Sequence, residues 1–360
     1  MTTTDTVPFA RAAVPLPVPT ARGPVSAVVV ETLTGPRSEA AASAVERAVA
    51  ERLADGPAEV VDDEDVQLAL LCLYELHHRG IAGVDDEWEW DPALLGARAR
   101  LEAAFERELR VRVPVPECPR RDAVGVAERL FALTAEDPAP SLSRWFAKRA
   151  DEEQARELLV LKSLYQLKEA DPHTWAIPRL AGAPKAALVE IQADEYGGGD
   201  APRMHAELFA TAMRGLGLDD TYGAYVDREP VEVLASLNLM SFLGLHRRLR
   251  GAIVGHLAAF EMTSSIPNRL YGDGFRRLGH DATTTWYFDE HVEADAVHEQ
   301  IAGRDLAGRL AEQEPALVDD ILFGAAACLA VEGWAASAAI EQWSQGASAL
   351  RPAASLVPAE

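Results

Sequence analysis

Cysteine, basic charge and strand-forming alternation are what this sequence has least of. Its three cysteines, Cys72, Cys118 and Cys328, stand far apart and show no CxxC spacing. That argues against a disulfide framework or a zinc ribbon and predicts a reducing compartment, read here as the cytoplasm. Lysine and arginine number 34 against 57 acidic residues, for a net charge of −23. Such a chain is short of the cations that phosphate binding requires, so neither a nucleic-acid partner nor an anionic membrane surface is expected. The first residues hold no basic stretch followed by an apolar run, and no uninterrupted apolar run of about eighteen residues occurs anywhere; neither a signal peptide nor a membrane span is expected.

What is present is enough apolar residue for a core, 48% of 360 residues, arranged with helical rather than alternating spacing. Residues 1–36 carry Pro8, Pro15, Pro17, Pro19, Pro24 and Pro36. They read as a flexible tail, with an ordered piece at 25–34. Helical patterns follow at 38–53, 65–79 and 92–109, and residues 37–115 form an N-terminal helical subdomain. It lacks ligand clusters and has apolar faces in need of a partner, which predicts a homodimer. His77 and His78 lie beside Glu75, but adjacent side chains diverge on a helix, so surface or capping roles are expected. The stretch RVRVPVPECPRR, 110–121, places three prolines in six residues and reads as a linker. From there the pattern is helical over 121–135, 141–170, 184–196, 202–216, 231–264 (one helix or a broken pair), 283–301, 303–313 and 316–343. The fold class is all-α: a bundle of about seven core helices spanning 121–350, preceded by the N-terminal helical layer.

The chemistry gathers around WYFDEHVEADAVHE, 286–299. In a helix, His291, Asp295 and His298 fall at i, i+4 and i+7 and leave one face, which makes half of a metal site suited to iron, manganese or zinc. Further candidates lie on other segments. Glu261 sits in the apolar GAIVGHLAAFEMTSS, where a lone carboxylate would be costly. Glu195 ends KAALVEIQADEY before three glycines, and His205 follows in RMHAELF. Glu169 is placed one turn after Tyr165 on an amphipathic helix, with pairing to Lys162 or Arg179 as its plain alternative. His256 reads as a core or surface histidine. Trp286, Tyr287 and Phe288 pack or wall the site; Arg269 and Tyr271, expected on a loop, could hold a substrate carboxylate or form a structural salt bridge. Four carboxylates and three histidines from several helices, aimed inward, are how di-iron carboxylate sites are built.

The order Glu169, Glu195, His205, Glu261, His291, Asp295, His298, with the segments LYQLKEADPHTWAIPRL and KAALVEIQADEYGGG, resembles the haem-oxygenase-like diiron oxidases and oxygenases, the iron-containing redox enzymes. The likeness covers about 121–345. It implies a haem-oxygenase-like helical fold without haem, holding two Fe(II) ions (or a mixed Mn/Fe pair) and using O2 to oxidise a small molecule. An external electron donor is an accompanying expectation. One metal would take His205, Glu169 and Glu195; the other His291, Asp295 and His298, with Glu261 at or between them. Glu195 ahead of His205 resembles the branch that oxygenates amine nitrogens of amino-acid-derived substrates. Carbon–carbon cleavage, decarboxylation or desaturation are the alternatives within the class. A ferroxidase or iron-binding protein without organic substrate, and a helical interaction module with a decayed site, lie outside it.

Overall fold

A computed structural model describes residues 13–54, 59–135 and 140–352, with the side chains of Asp295 and Ala296 outside the description. The described chain is all-helical; backbone pairing of strand type is limited, among the described residues, to one bridge between Leu16 and Ile81. The N-terminal layer comprises α1 (Pro24–Thr34), α2 (Glu39–Arg52), α3 (Glu64–Glu75) and α4 (Pro92–Arg112). The bundle comprises α5 (Ala123–Ala135), α6 (Leu142–Arg149), α7 (Glu152–Gln166), the one-turn α8 (Asp171–Thr174), α9 (Gly182–Glu195), α10 (His205–Gly215), α11 (Val231–Leu245), α12 (Arg250–Met262), α13 (Ser265–Leu278), α14 (Ala282–Gln300), α15 (Arg309–Gln313) and α16 (Val318–Ser344).

The flexible tail expected over 1–36 is not what the chain shows from Ala13 onward. Leu16 is fully buried and exchanges backbone hydrogen bonds with Gly80 and Ala82. The Asp65 carboxylate accepts from the Val25 and Ser26 amides at 2.8 and 2.6 Å, satisfying the start of α1. Prolines do not prevent order here, because extended backbone can be tied down by a neighbour's polar groups. The part of the tail before Ala13 lies outside the described residues. The apolar faces that called for a second subunit are covered within the chain: α3 packs on α11, and buried residues of both layers form one continuous core. Asn238 of α11 donates to the Gln67 carbonyl and side-chain oxygen of α3, both at 2.8 Å.

In the bundle, α12 and α16 cross almost in backbone contact. A Cβ on Gly255 would stand 1.8 Å from the Ile321 carbonyl oxygen, and one on Gly324 1.8 Å from that of Ala252. The helix Pro315–Ser344 is long and apolar enough to cross a bilayer, a segment the sequence argument passed over; half of its apolar window is buried. The predicted helix over 141–170 is instead two. Ala150 is extended, Asp151 and Gln154 form a capping box, and α7 stops at Gln166. The expected break near Gly303 is bridged: a π-helical stretch, Ile301–Gly308, joins α14 to α15. Over 231–264 the broken-pair alternative holds, with an extended His246 between α11 and α12.

Candidate metal centre

Glu169 is not on α7 but in the turn after it, because Ala170 adopts a left-handed conformation (φ 71°) and Pro172 follows. Its side chain meets neither Lys162, which lies over the Tyr271 ring, nor Arg179, which donates to the Gly244 and Leu245 carbonyls. Instead the Tyr287 hydroxyl donates to Glu169 Oε1 at 3.0 Å, and His291 Nε2 stands 3.5 Å from the same oxygen. Glu195 ends α9 and His205 opens α10. Between them Gly197, Gly198 and Gly199 all have positive φ (71°, 61° and 89°), conformations that glycine adopts without steric cost. The turn they make brings His205 Nδ1 to 2.9 Å from Glu195 Oε2.

Two donor groups result. Glu169, Glu195, His205 and His291 each offer an atom within 4.8 Å of the others, and so do Glu195, Glu261 and His298. All six residues are buried. Glu195 belongs to both groups. His291 falls in the group opposite to the one expected for it: it sits with Glu169 and His205, not with His298. Asp295 is on α14, but its side chain is outside the described residues.

Despite the 2.9 Å separation, His205 Nδ1 has no aligned hydrogen bond among the described residues, and neither has Glu169 Oε2. His291 Nδ1–H donates to the Tyr287 carbonyl at 2.8 Å, which leaves Nε2 for the centre. His298 directs Nδ1 toward Glu261 (3.3 Å) and Glu195 (3.9 Å), and Nε2 toward Asp194 (3.0 Å), whose side chain is 59% exposed. Carboxylate oxygen and imidazole nitrogen, with unpartnered atoms converging, suit iron or manganese.

The electrostatics agree. Burial alone would raise the Glu195 carboxyl, but His205, then His291 and His298, hold it down at about 2. Burial alone would lower His298, but the Glu261 hydrogen bond and charge, with Asp194 and Glu195, raise it to about 9. His205 is likewise raised, Glu195 outweighing its burial. In the metal-free protein these imidazoles serve as counter-charges, the place a metal cation takes when it binds.

Glu169, Glu195, Glu261 and His291 line a narrow cavity of about 20 Å³, room for about one water, with Tyr165, Leu257 and Phe260 adding apolar wall. His173 also lines it. His173 Nε2 and His256 Nδ1 are 3.1 Å apart, both rings are 1% exposed, and their other nitrogens, His173 Nδ1 and His256 Nε2, have no partner among the described residues. Burial lowers His173 to about 4, and burial with the neighbouring His173 also lowers His256 well below its ordinary value, so the pair is neutral.

Sequence reasoning missed Asp194, Tyr287 as a donor to Glu169, and His173. Only Tyr287 had a legible signal, its i, i+4 spacing to His291. Arg269 and Tyr271 lie on α13, not a loop. Arg269 is exposed, and Tyr271 packs against Phe146 and Phe288. Trp286 is exposed and bonds Glu290, while Phe288 stacks on Phe275. His77 is buried against Glu89, and His78 stands 3.3 Å from Ser241 Oγ, so the two share no site.

A helical bundle with a buried carboxylate–histidine centre defines an iron-type oxidoreductase scaffold. The sequence model of the iron-containing redox enzymes matches residues 156–333, a segment running from α7 into α16 and containing every residue of both donor groups. This segment, just under half of the chain, matches the iron-containing redox enzyme family, and the all-helical structure is consistent with a haem-oxygenase-like fold. Among curated proteins, no sequence matches the chain significantly.

Proposed function

We propose that this protein is a non-haem diiron oxygenase or oxidase that uses O2 to oxidise a small molecule beside Glu169, Glu195, Glu261 and His291. The observation that carries this reading is Glu195, one buried carboxylate common to two donor groups. A carboxylate has two oxygens and can serve two cations at once, which one metal would not require. Glu169, His205 and His291 would complete one iron site; Glu261 and His298, with Asp295 from the same face of α14, the other. Iron bound there supplies electrons to dioxygen and the oxidising power for the substrate.

The chain's own groups do the rest. Tyr287 holds Glu169 Oε1 and fixes which carboxylate oxygen is left for metal. The Tyr287 carbonyl fixes the His291 tautomer. Asp194, half in solvent, accepts from His298 Nε2, which would fix the tautomer that leaves Nδ1 facing Glu195 and Glu261 for metal. Tyr165, Leu257 and Phe260 keep bulk water from the oxidising centre. The neutral His173 imidazole is placed to orient a polar group of the substrate. Among oxidations open to such a centre we favour N-oxygenation of an amine or amino-acid-derived substrate, supported by the resemblance of the Glu195–His205 arrangement to that branch. Electrons for repeated turnover would come from an external donor.

The test is anaerobic loading with Fe(II), metal analysis, then mixing with O2 under stopped-flow visible absorption. Two irons per chain and a transient absorption that His291→Ala abolishes are expected, and amines should speed its decay. Two irons without any transient, whatever amine is added, would leave an iron-binding protein and refute the oxygenase reading.

A further inference from the structure

The Glu169 turn is gripped from outside the bundle. Leu167, Lys168, Ala170 and Asp171 surround Glu169 in sequence, and Glu75, the last residue of α3, and Arg79, in the turn after it, hold three of them. Lys168 Nζ pairs with Glu75, both side chains fully buried, and the Tyr222 hydroxyl donates to the same Glu75 oxygen at 2.8 Å. Arg79 donates to the Leu167 carbonyl at 2.8 Å and stands 3.7 Å from Asp171. On the other side, Gln192 of α9 donates to the Ala170 carbonyl at 3.1 Å. Ala170 is the one non-glycine residue with positive φ among the described residues. An alanine does not hold that conformation unaided.

A buried ion pair is a poor way to gain stability, since desolvation offsets most of the attraction; its better-attested use is to fix one arrangement. Here it fixes a turn that no helix continues. We infer that Glu75 and Lys168, secured by Tyr222 and Arg79, are positioning residues for Glu169, and that the N-terminal layer thereby belongs to the metal site although it lies outside the family segment. This rests on the proposed metal centre.

The test uses the full chain freed of metal and titrated with Co(II), whose visible absorption reports coordination. His205→Ala and Glu261→Ala provide reference spectra for protein with only one donor group intact. Glu75→Gln is expected to weaken the Glu169 group by about 10- to 100-fold. The Glu261 group should change by less than about threefold, leaving a spectrum like that of His205→Ala. The Glu75→Leu/Lys168→Leu variant removes both charges together, so no charge is left buried alone. It should melt near wild type and still bind weakly at the Glu169 group. Recovery of full affinity in that double variant, or equal losses at both groups, would make the pair purely structural and overturn the inference. Wild-type protein that binds no Co(II) and no Fe(II) would instead refute the metal centre itself.

Discussion

Acidifying the metal-free protein should unfold it through the His173–His256 pair. Each imidazole has a folded pKa below its ordinary 6.5, His173 at about 4 and His256 well below its ordinary value, because burial disfavours the charged ring. Above pH 6.5 both states are neutral and the pair is silent. Below it the unfolded chain binds protons that the folded chain refuses, so stability falls as pH falls. At pH 5 the shortfall for His173 is about 1.5 pH units, or about 2 kcal/mol at 1.36 kcal/mol per unit, and His256 adds to it in the same direction. That is a large part of the ~5–15 kcal/mol that holds a typical domain folded. His205 and His298 are raised instead; their stabilising contribution is already complete below pH 6.5 and is lost only as pH rises through their folded values. Glu229, buried and held protonated, pulls the opposite way to the pair. A difference measurement therefore isolates the two rings: urea midpoints of wild type and His173→Leu/His256→Leu, with chelator, from pH 7.5 to 5. The wild type should lose stability relative to the variant by a slope approaching two protons. Parallel curves would show that the rings are solvated or paired in solution, and the argument from burial would fail.

Four further outcomes follow from the same geometry. Glu195→Ala should weaken metal binding at both groups, read as at most one iron per chain by metal analysis, whereas Glu261→Ala should spare the group holding Glu169. Asp194→Asn should weaken the His298 group about 10- to 100-fold in a Co(II) titration, since an outer carboxylate orients its imidazole. Tyr287→Phe should cost about 1 kcal/mol in urea unfolding and change the Co(II) spectrum of the Glu169 group while leaving the other. Gly255→Ala drives a Cβ into the Ile321 carbonyl of α16; about 1–3 kcal/mol of destabilisation is expected by thermal or urea unfolding, because neither helix backbone can yield cheaply.

The all-α class and most helices were legible because apolar spacing, prolines and glycines act locally, although α4 runs to Arg112, into the stretch read as a linker. The shared face of His291 and His298 on α14 was legible too, since i and i+7 lie on one side of any helix. Glu195 and His205 were legible as residues but not as neighbours, since their approach depends on three consecutive positive-φ glycines. What the sequence by itself determined is which residue types are available and which helix faces carry them. Only the tertiary structure decided that His291 joins Glu169 rather than His298, that Glu195 serves both groups, and that Asp194 backs one ligand. It also decided that the N-terminal layer packs on the chain's own bundle through α3 and α11. The reason is physical: these are contacts between residues far apart in sequence, 122 positions from Glu169 to His291 and 171 from Gln67 to Asn238. They are set by how helices cross and where turns aim side chains, and no local periodicity records either.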